Sequence, residues 1–318
     1  MHYVVGDLHG CFFEFIKLVH KIQREDKNAK FILIGDVIDR GADTGKILLW
    51  CMKNSGENKS FELLLGNHEL LFLDWCVNEW FPFCEGKKAD YEHAPYQTDI
   101  DLSKDGLLTA DKIKEIYEFL RQLPLVLEKN ILSPKGIQKY VIAHAWAKKE
   151  EMNAIRNGVC TAKEYWKTFL LDRTGALENA SYDPDGDEIL IHGHTPTTDE
   201  QMLIQGFIPG RIAYKKHAIN IDCGICYGKV QNELPVNLAA ICLENLKEYY
   251  AYSLEEWFHI KQKGLSISQK SMERAEFFTV DRKSEPIKQA IISYKNQYHF
   301  HRPNEMRIKM IRQINGDK

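Results

Sequence analysis

The sequence predicts an α/β fold, and two observations carry that prediction. Short apolar runs alternate with segments of helical periodicity, and a polar cluster begins wherever one of the early apolar runs ends. Val4 and Val5 read as a strand; Phe12, Phe15, Ile16, Val19 and Ile22 recur at helical spacing; residues 31–34 read as a second strand. The pattern repeats through a helix over 44–52 and a strand over 61–65. Strand, helix, strand, helix, strand predicts a mainly parallel sheet with right-handed crossovers.

The stretch 75–107 is aromatic, charged and weakly periodic, and is expected to be an insertion that covers the site. Helical spacing resumes from Thr109 to Leu123 and is stopped by Pro124; residues 140–143 and 189–191 then read as strands. From Ala218 to Leu243, short apolar runs broken by Gly224 and Gly228 read as closing strands. Beyond Leu243 the composition turns aromatic, charged and helical, which places a boundary between a main domain over 1–244 and a mainly helical C-terminal appendage over 245–318. Lys288, Lys295, Arg302, Arg307, Lys309 and Arg312 face only Glu305 between Pro286 and Ile314; the expectation is a solvated helical face, with nucleic-acid binding the weaker alternative.

At 318 residues with a formal charge of -3, the chain has ample length for a core and no field that implies nucleic-acid or membrane binding as a whole. Met1 to Val5 run directly into Gly6 and Asp7, leaving no room for a signal peptide, and no apolar run approaches the roughly 20 residues of a membrane span. A cytoplasmic location is expected. The eight cysteines are scattered through apolar segments and read as reduced core thiols. Cys223 and Cys226 form a CxxC, but no second ligand pair of comparable spacing accompanies it, so it reads as structural rather than as a zinc site.

Three polar clusters follow the first three strands: Gly-Asp-Leu-His-Gly at 6–10, Gly-Asp-Val-Ile-Asp-Arg-Gly at 35–41, and Gly-Asn-His-Glu at 66–69. They converge at one sheet edge, where open α/β sheets place ligands. His144 and His194 follow the later strands. A hydrolytic two-metal centre needs hard oxygen and imidazole ligands, one carboxylate able to bridge, and ions about 3.5 to 4 Å apart. Asp7, His9, Asp36, Asn67, His144 and His194 supply that mixture. Taken singly, an aspartate after a strand reads equally well as a helix cap, and a lone histidine as a core residue. Their agreement across separate clusters favours the metal reading.

These motifs, together with the Ala-His-Ala strand end at 143–145 and Gly-His-Thr at 193–195, resemble the phosphoprotein phosphatase branch of the calcineurin-like metallophosphoesterases over residues 2 to 243. The resemblance implies a four-layer αββα sandwich with a cap insertion and two divalent ions, manganese foremost, with iron, zinc, cobalt or nickel as alternatives. It implies Asp7 and His9 on the first metal, Asp36 bridging both, and Asn67, His144 and His194 on the second. His68 would protonate the leaving oxygen, oriented by Asp39, while Arg40 clamps the phosphoryl oxygens. Hydrolysis would be a single in-line displacement by a hydroxide shared between the metals. Leu171-Asp172-Arg173 stands where the family places a second arginine, without the usual tryptophan, so Arg173 is either a phosphate ligand or half of a surface salt bridge. His192 is expected to pack nearby rather than ligate, and the segment Phe119 to Pro124 also fits the family pattern.

Pro196 stands where related nucleases and cyclic-nucleotide phosphodiesterases carry a further histidine, which favours phosphomonoesters or phosphoanhydrides. Both branches of the resemblance need the same phosphoryl machinery. The expectation leans to a serine/threonine phosphoprotein phosphatase or general phosphomonoesterase, with a phosphorylated protein or small phosphorylated substrate as partner. The alternative is hydrolysis of dinucleoside tetraphosphates. A third reading, a catalytically dead scaffold that binds phospho-ligands, is disfavoured because every expected ligand type is present.

Overall fold

The computed structural model describes residues 1–252, apart from 57, 134–135, 179 and 228–235. Two five-stranded sheets organise these residues. The first combines β1 (His2–Val5), β2 (Lys30–Leu33) and β3 (Phe61–Leu63) with two later strands. The second is built from β4 (Val126–Ser133), β5 (Gly136–Ala143), β6 (Ile189–His192), β7 (Ala213–Lys215) and β8 (Ala218–Asn220). The chain then returns to the first sheet as β9 (Asn237–Cys242) and β10 (Glu248–Tyr252). The strand orders are β10-β9-β1-β2-β3 and β4-β5-β6-β8-β7.

Side-chain alternation explains why the two sheets stack. Val4, Ile32, Ile142, Ile189 and Ile191 point into one apolar cluster between the sheets. Their neighbours Tyr3, Val5, Phe31, Leu33, Val141 and Leu190 point outward against helices. Helix α1 (Phe12–Glu25) buries Phe15, Leu18, Val19 and Ile22, one stripe at helical spacing. Helix α2 (Thr44–Asn54) buries Ile47, Leu48 and Cys51. On the far side, Met152, Phe169 and Leu170 cover the second sheet, completing helix, sheet, sheet, helix layers.

Two sequence expectations change. The sheets are mixed, not mainly parallel: β1 and β3 flank β2 in parallel, whereas β9 runs antiparallel to both β1 and β10. Hydrophobic periodicity reports burial but carries no strand direction, so the return hairpin was invisible to it. The first sheet also extends past the composition change near 245, since β10 pairs with β9 over five residues, Glu248 to Tyr252. The remainder of the expected appendage, with its basic residues, lies outside the described residues.

The stretch 75–107 is largely helical. Helix α3 (Asn67–Trp75) runs through a wider turn at Cys76–Trp80 into Phe81–Cys84, and a tight turn at Pro95–Gln97 leads into the helix Thr98–Lys104. Trp75, Trp80, Phe83 and Tyr91 pack ring against ring, which accounts for the aromatic composition. No helix among the described residues is long and apolar enough to cross a membrane.

Candidate metal centre

The carboxyl ends of β1, β2, β3, β5 and β6 each release the chain into a loop bearing predicted site residues. The loops are tied to one another. The Leu8 and His9 N–H groups donate to the Asp36 carbonyl, at 3.1 and 2.8 Å, and Gly10 N–H donates to Val37 at 2.8 Å. Gly193 N–H donates to the His144 carbonyl at 2.8 Å. Gly66 lies so close to the Asp36 amide and carboxylate that a Cβ there would overlap both, which explains a glycine at that strand end. Left-handed backbone occurs at His9, Asp36, Asp39, Arg40 and His194. Such conformations cost about 1 to 3 kcal/mol each and persist only where the surroundings enforce them. The site is therefore a constrained structure.

Asp36 occupies the centre. Its Oδ2 lies 3.6 Å from His9 Nε2, 3.9 Å from His68 Nε2 and 3.5 Å from His144 Nε2. Two compact donor groups share it: His9, Asp36 and His68, and Asp36, His144 and His194. Asn67 joins the second, its Oδ1 at 2.9 Å from His144 Nε2 and 2.7 Å from His194 Nδ1. Asp7 is buried alongside and accepts the His194 N–H at 3.2 Å.

The donor set fits divalent cations. His9 Nδ1 donates to the Ile38 carbonyl at 3.0 Å and His144 Nδ1 to that of Ile34 at 3.1 Å, which leaves the lone pair of each ring on Nε2. Burial lowers the pKa of His9 and His144 to about 3 and of His194 to about 2, so these imidazoles are neutral. The His144 Nε2 lone pair then faces the carbonyl oxygen of Asn67 at 2.9 Å and the carboxylate of Asp36 at 3.5 Å, with His194 Nδ1 beside them at 3.2 Å. A cation resolves that convergence. Burial, with the charges of Asp222 and Asp36, also holds Asp7 well above the usual carboxylate range. Buried carboxylates crowded in this way call for positive charge.

The groups around this centre are equally ordered. His68 Nδ1 lies 2.6 Å from Asp39 Oδ2; burial opposes its protonated form, but the Asp39 hydrogen bond and the Asp36 charge outweigh it and raise the pKa. Arg40 Nη1 reaches His9 Nε2 at 2.9 Å and donates to the Tyr227 hydroxyl, with its guanidinium 5.4 Å from the Tyr96 ring and 5.0 Å from the Tyr227 ring. Arg173 Nε donates to His194 Nε2 at 3.2 Å. It gets there because Trp146 N–H binds the Asp172 carbonyl at 3.1 Å, docking its turn on the loop after β5.

The model of the family described as calcineurin-like phosphoesterase matches residues 3–203. The chain belongs to that family. It is accordingly a metallophosphoesterase, a hydrolase of phosphate esters from a family that uses divalent metals. Among its relatives are an asymmetrical bis(5'-nucleosyl)-tetraphosphatase, PrpE, of Oceanobacillus iheyensis, 25% identical over 248 residues, 71% of this chain and 84% of that protein. A symmetrical bis(5'-nucleosyl)-tetraphosphatase of Mannheimia succiniciproducens is 26% identical over 232 residues, 73% of this chain and 74% of the relative. A protein serine/threonine phosphatase structure from Saccharomyces cerevisiae aligns at a TM-score of 0.45 and 12% identity, covering 80% of each chain.

All ten predicted site residues of this metallophosphoesterase gather here: Asp7, His9, Asp36, Asp39, Arg40, Asn67, His68, His144, Arg173 and His194. His192 is buried against Trp146 and stands outside both donor groups. Sequence reasoning missed Asp222, a buried carboxylate close enough to Asp7 to raise its pKa. Its own pKa is pushed up to about 6, burial dominating. An aspartate two residues past the end of β8, as Asp7 is past the end of β1, was the available signal. Glu69, Thr98 and Tyr96 were also missed as site residues. Cys223 and Cys226 are free thiols, Cys223 buried with the apolar cluster between the sheets and Cys226 3.9 Å from Arg40 Nη1.

Proposed function

We propose that this metallophosphoesterase hydrolyses the phosphoanhydride chain of dinucleoside polyphosphates. The observation that carries the reading is that the tetraphosphatases of Oceanobacillus iheyensis and Mannheimia succiniciproducens align over more than 70% of the chain. This shifts the balance from the phosphoprotein substrate expected from sequence to its alternative. Two arginines, Arg40 and Arg173, flank the histidines and suit a substrate carrying several phosphate charges.

In this reading Asp7, His9 and Asp36 would hold one divalent ion, and Asp36, Asn67, His144 and His194 would hold a second, with manganese as the first candidate. Bound there, the ions would supply Lewis acidity toward a phosphoryl oxygen and lower the pKa of water. Arg40 and Arg173 bind and orient the phosphoryl group under attack, through the planar donor fork of each guanidinium. His68, aligned by Asp39, delivers its Nε2 proton to the departing oxygen as the phosphorus–oxygen bond breaks, and water takes the opposite side in one in-line displacement.

Parallel turnover of diadenosine tetraphosphate and a phosphopeptide, with manganese added, tests the substrate. Efficient release of nucleotides with an inert phosphopeptide is expected, and the pattern of two ADP or of ATP plus AMP reads out the position of cleavage. Phosphopeptide turnover exceeding that of the dinucleotide would overturn the proposal.

A further inference from the structure

The helix Thr98–Lys104 starts in an unusual way. Its first residue, Thr98, is fully buried, yet the hydroxyl caps no N–H of its own helix. It donates instead to Asp39 Oδ1, 59 residues away in sequence, and lies 3.1 Å from the Pro95 carbonyl. A hydroxyl has one proton, and the shorter contact to the charged acceptor takes it. Asp39 Oδ2 meanwhile meets His68 Nδ1 at 2.6 Å. Both oxygens of the carboxylate are thereby engaged, and Asp39 cannot rotate about its terminal bond without losing one of them.

The turn that delivers Thr98 is built to hold it there. Tyr96 and Gln97 are consecutive left-handed residues, with φ of 58° and 62°, a strained arrangement for side chains of this size. Buried Asp99 clamps the turn, with Oδ1 accepting the Ala94 N–H at 2.9 Å and Oδ2 meeting His93 Nδ1 at 2.7 Å. Gln97 N–H closes on the Ala94 carbonyl at 2.9 Å. The same turn lays the Tyr96 ring on the His68 ring, with centroids 4.3 Å apart. His68 is thus restrained in its plane by Asp39 and across its face by Tyr96, while Thr98 restrains Asp39.

We infer that Thr98 is a positioning residue that acts through Asp39 to aim the His68 imidazole at the leaving oxygen. The inference rests on the reading of His68 as proton donor. Outer partners of this kind are worth about 10- to 100-fold in activity when removed.

A double-mutant cycle on the manganese-loaded full chain, with diadenosine tetraphosphate as substrate, tests it. Thr98→Val is expected to lower kcat by roughly tenfold or more with little change in KM, and Thr98→Ser to restore most of the loss. In the His68→Asn background, Thr98→Val is expected to have almost no further effect, because the group it positions is gone. If the two losses multiply in full, or if Thr98→Val retains wild-type kcat, the inference is overturned. Undiminished turnover in His68→Asn alone would instead overturn the underlying assignment of His68. Thr98→Ala serves in the same cycle should the valine variant fail to fold, as judged by its melting curve.

Discussion

The carboxylate of Glu69 holds Asp36 from behind: Oε2 accepts the Asp36 N–H at 2.8 Å, with Gly66 N–H at 2.9 Å, while Oε1 accepts Val37 N–H at 2.8 Å. One buried side chain therefore joins the loop after β2 to the start of α3. Asp36, the carboxylate shared by both donor groups, has no freedom to drift from His9 and His144.

Glu69→Ala leaves at least three buried N–H groups without acceptors, each costing about 1 to 3 kcal/mol. Allowing for relaxation, a loss of about 3 to 5 kcal/mol in urea denaturation is expected. Manganese affinity should fall with it. A variant within about 1 kcal/mol of wild type would show that Glu69 is a bystander.

Metal binding is expected to stabilise the fold, because it neutralises buried carboxylates. With free manganese at about a hundred times its Kd, the gain is about 2.7 kcal/mol and appears as a higher Tm than in chelator-treated protein. Asp36→Asn should abolish both that shift and turnover. Retention of the manganese-induced shift in Asp36→Asn would remove Asp36 from the centre.

Arg173 meets the candidate site through its Nε, which donates to His194 Nε2. Arg173→Ala is expected to lower kcat/KM for a dinucleotide substrate about 10- to 100-fold with unchanged thermal stability, and Arg173→Lys to recover only part, since an ammonium cannot bind two phosphoryl oxygens in one plane. Full activity in Arg173→Ala would return this residue to the surface-salt-bridge reading.

Far from the site, Glu244 ties the chain's beginning to the turn after β9. Burial alone would raise its pKa, but the His2 ring at 2.9 Å and the His2 backbone N–H at 3.0 Å outweigh that and bring it from 4.5 to about 2. A carboxylate whose pKa is depressed on folding contributes its full stability above 4.5, and loses it as pH falls toward 2. Glu244→Gln should therefore be less stable than wild type at about pH 6, and the gap between their urea midpoints should narrow steadily below about pH 4.5. A gap independent of pH would exclude the linkage.

The sequence by itself determined which strands end in the candidate site residues. Asp7, Asp36, Asn67, His144 and His194 each follow an apolar run, and in parallel strands those ends lie on one side of the sheet, so local pattern sufficed to gather them. It also carried α1 and α2, whose buried stripes are written in helical spacing. Only the tertiary structure decided that β9 and β10 close the first sheet antiparallel, that Asp222 lies near Asp7, and that Thr98 reaches Asp39. Apart from the β9–β10 hairpin itself, those relations join residues 59 or more positions apart through single hydrogen bonds, strand pairings or unscreened charges. Such contacts leave no periodic trace, because one polar side chain turned inward looks in sequence like one turned to water.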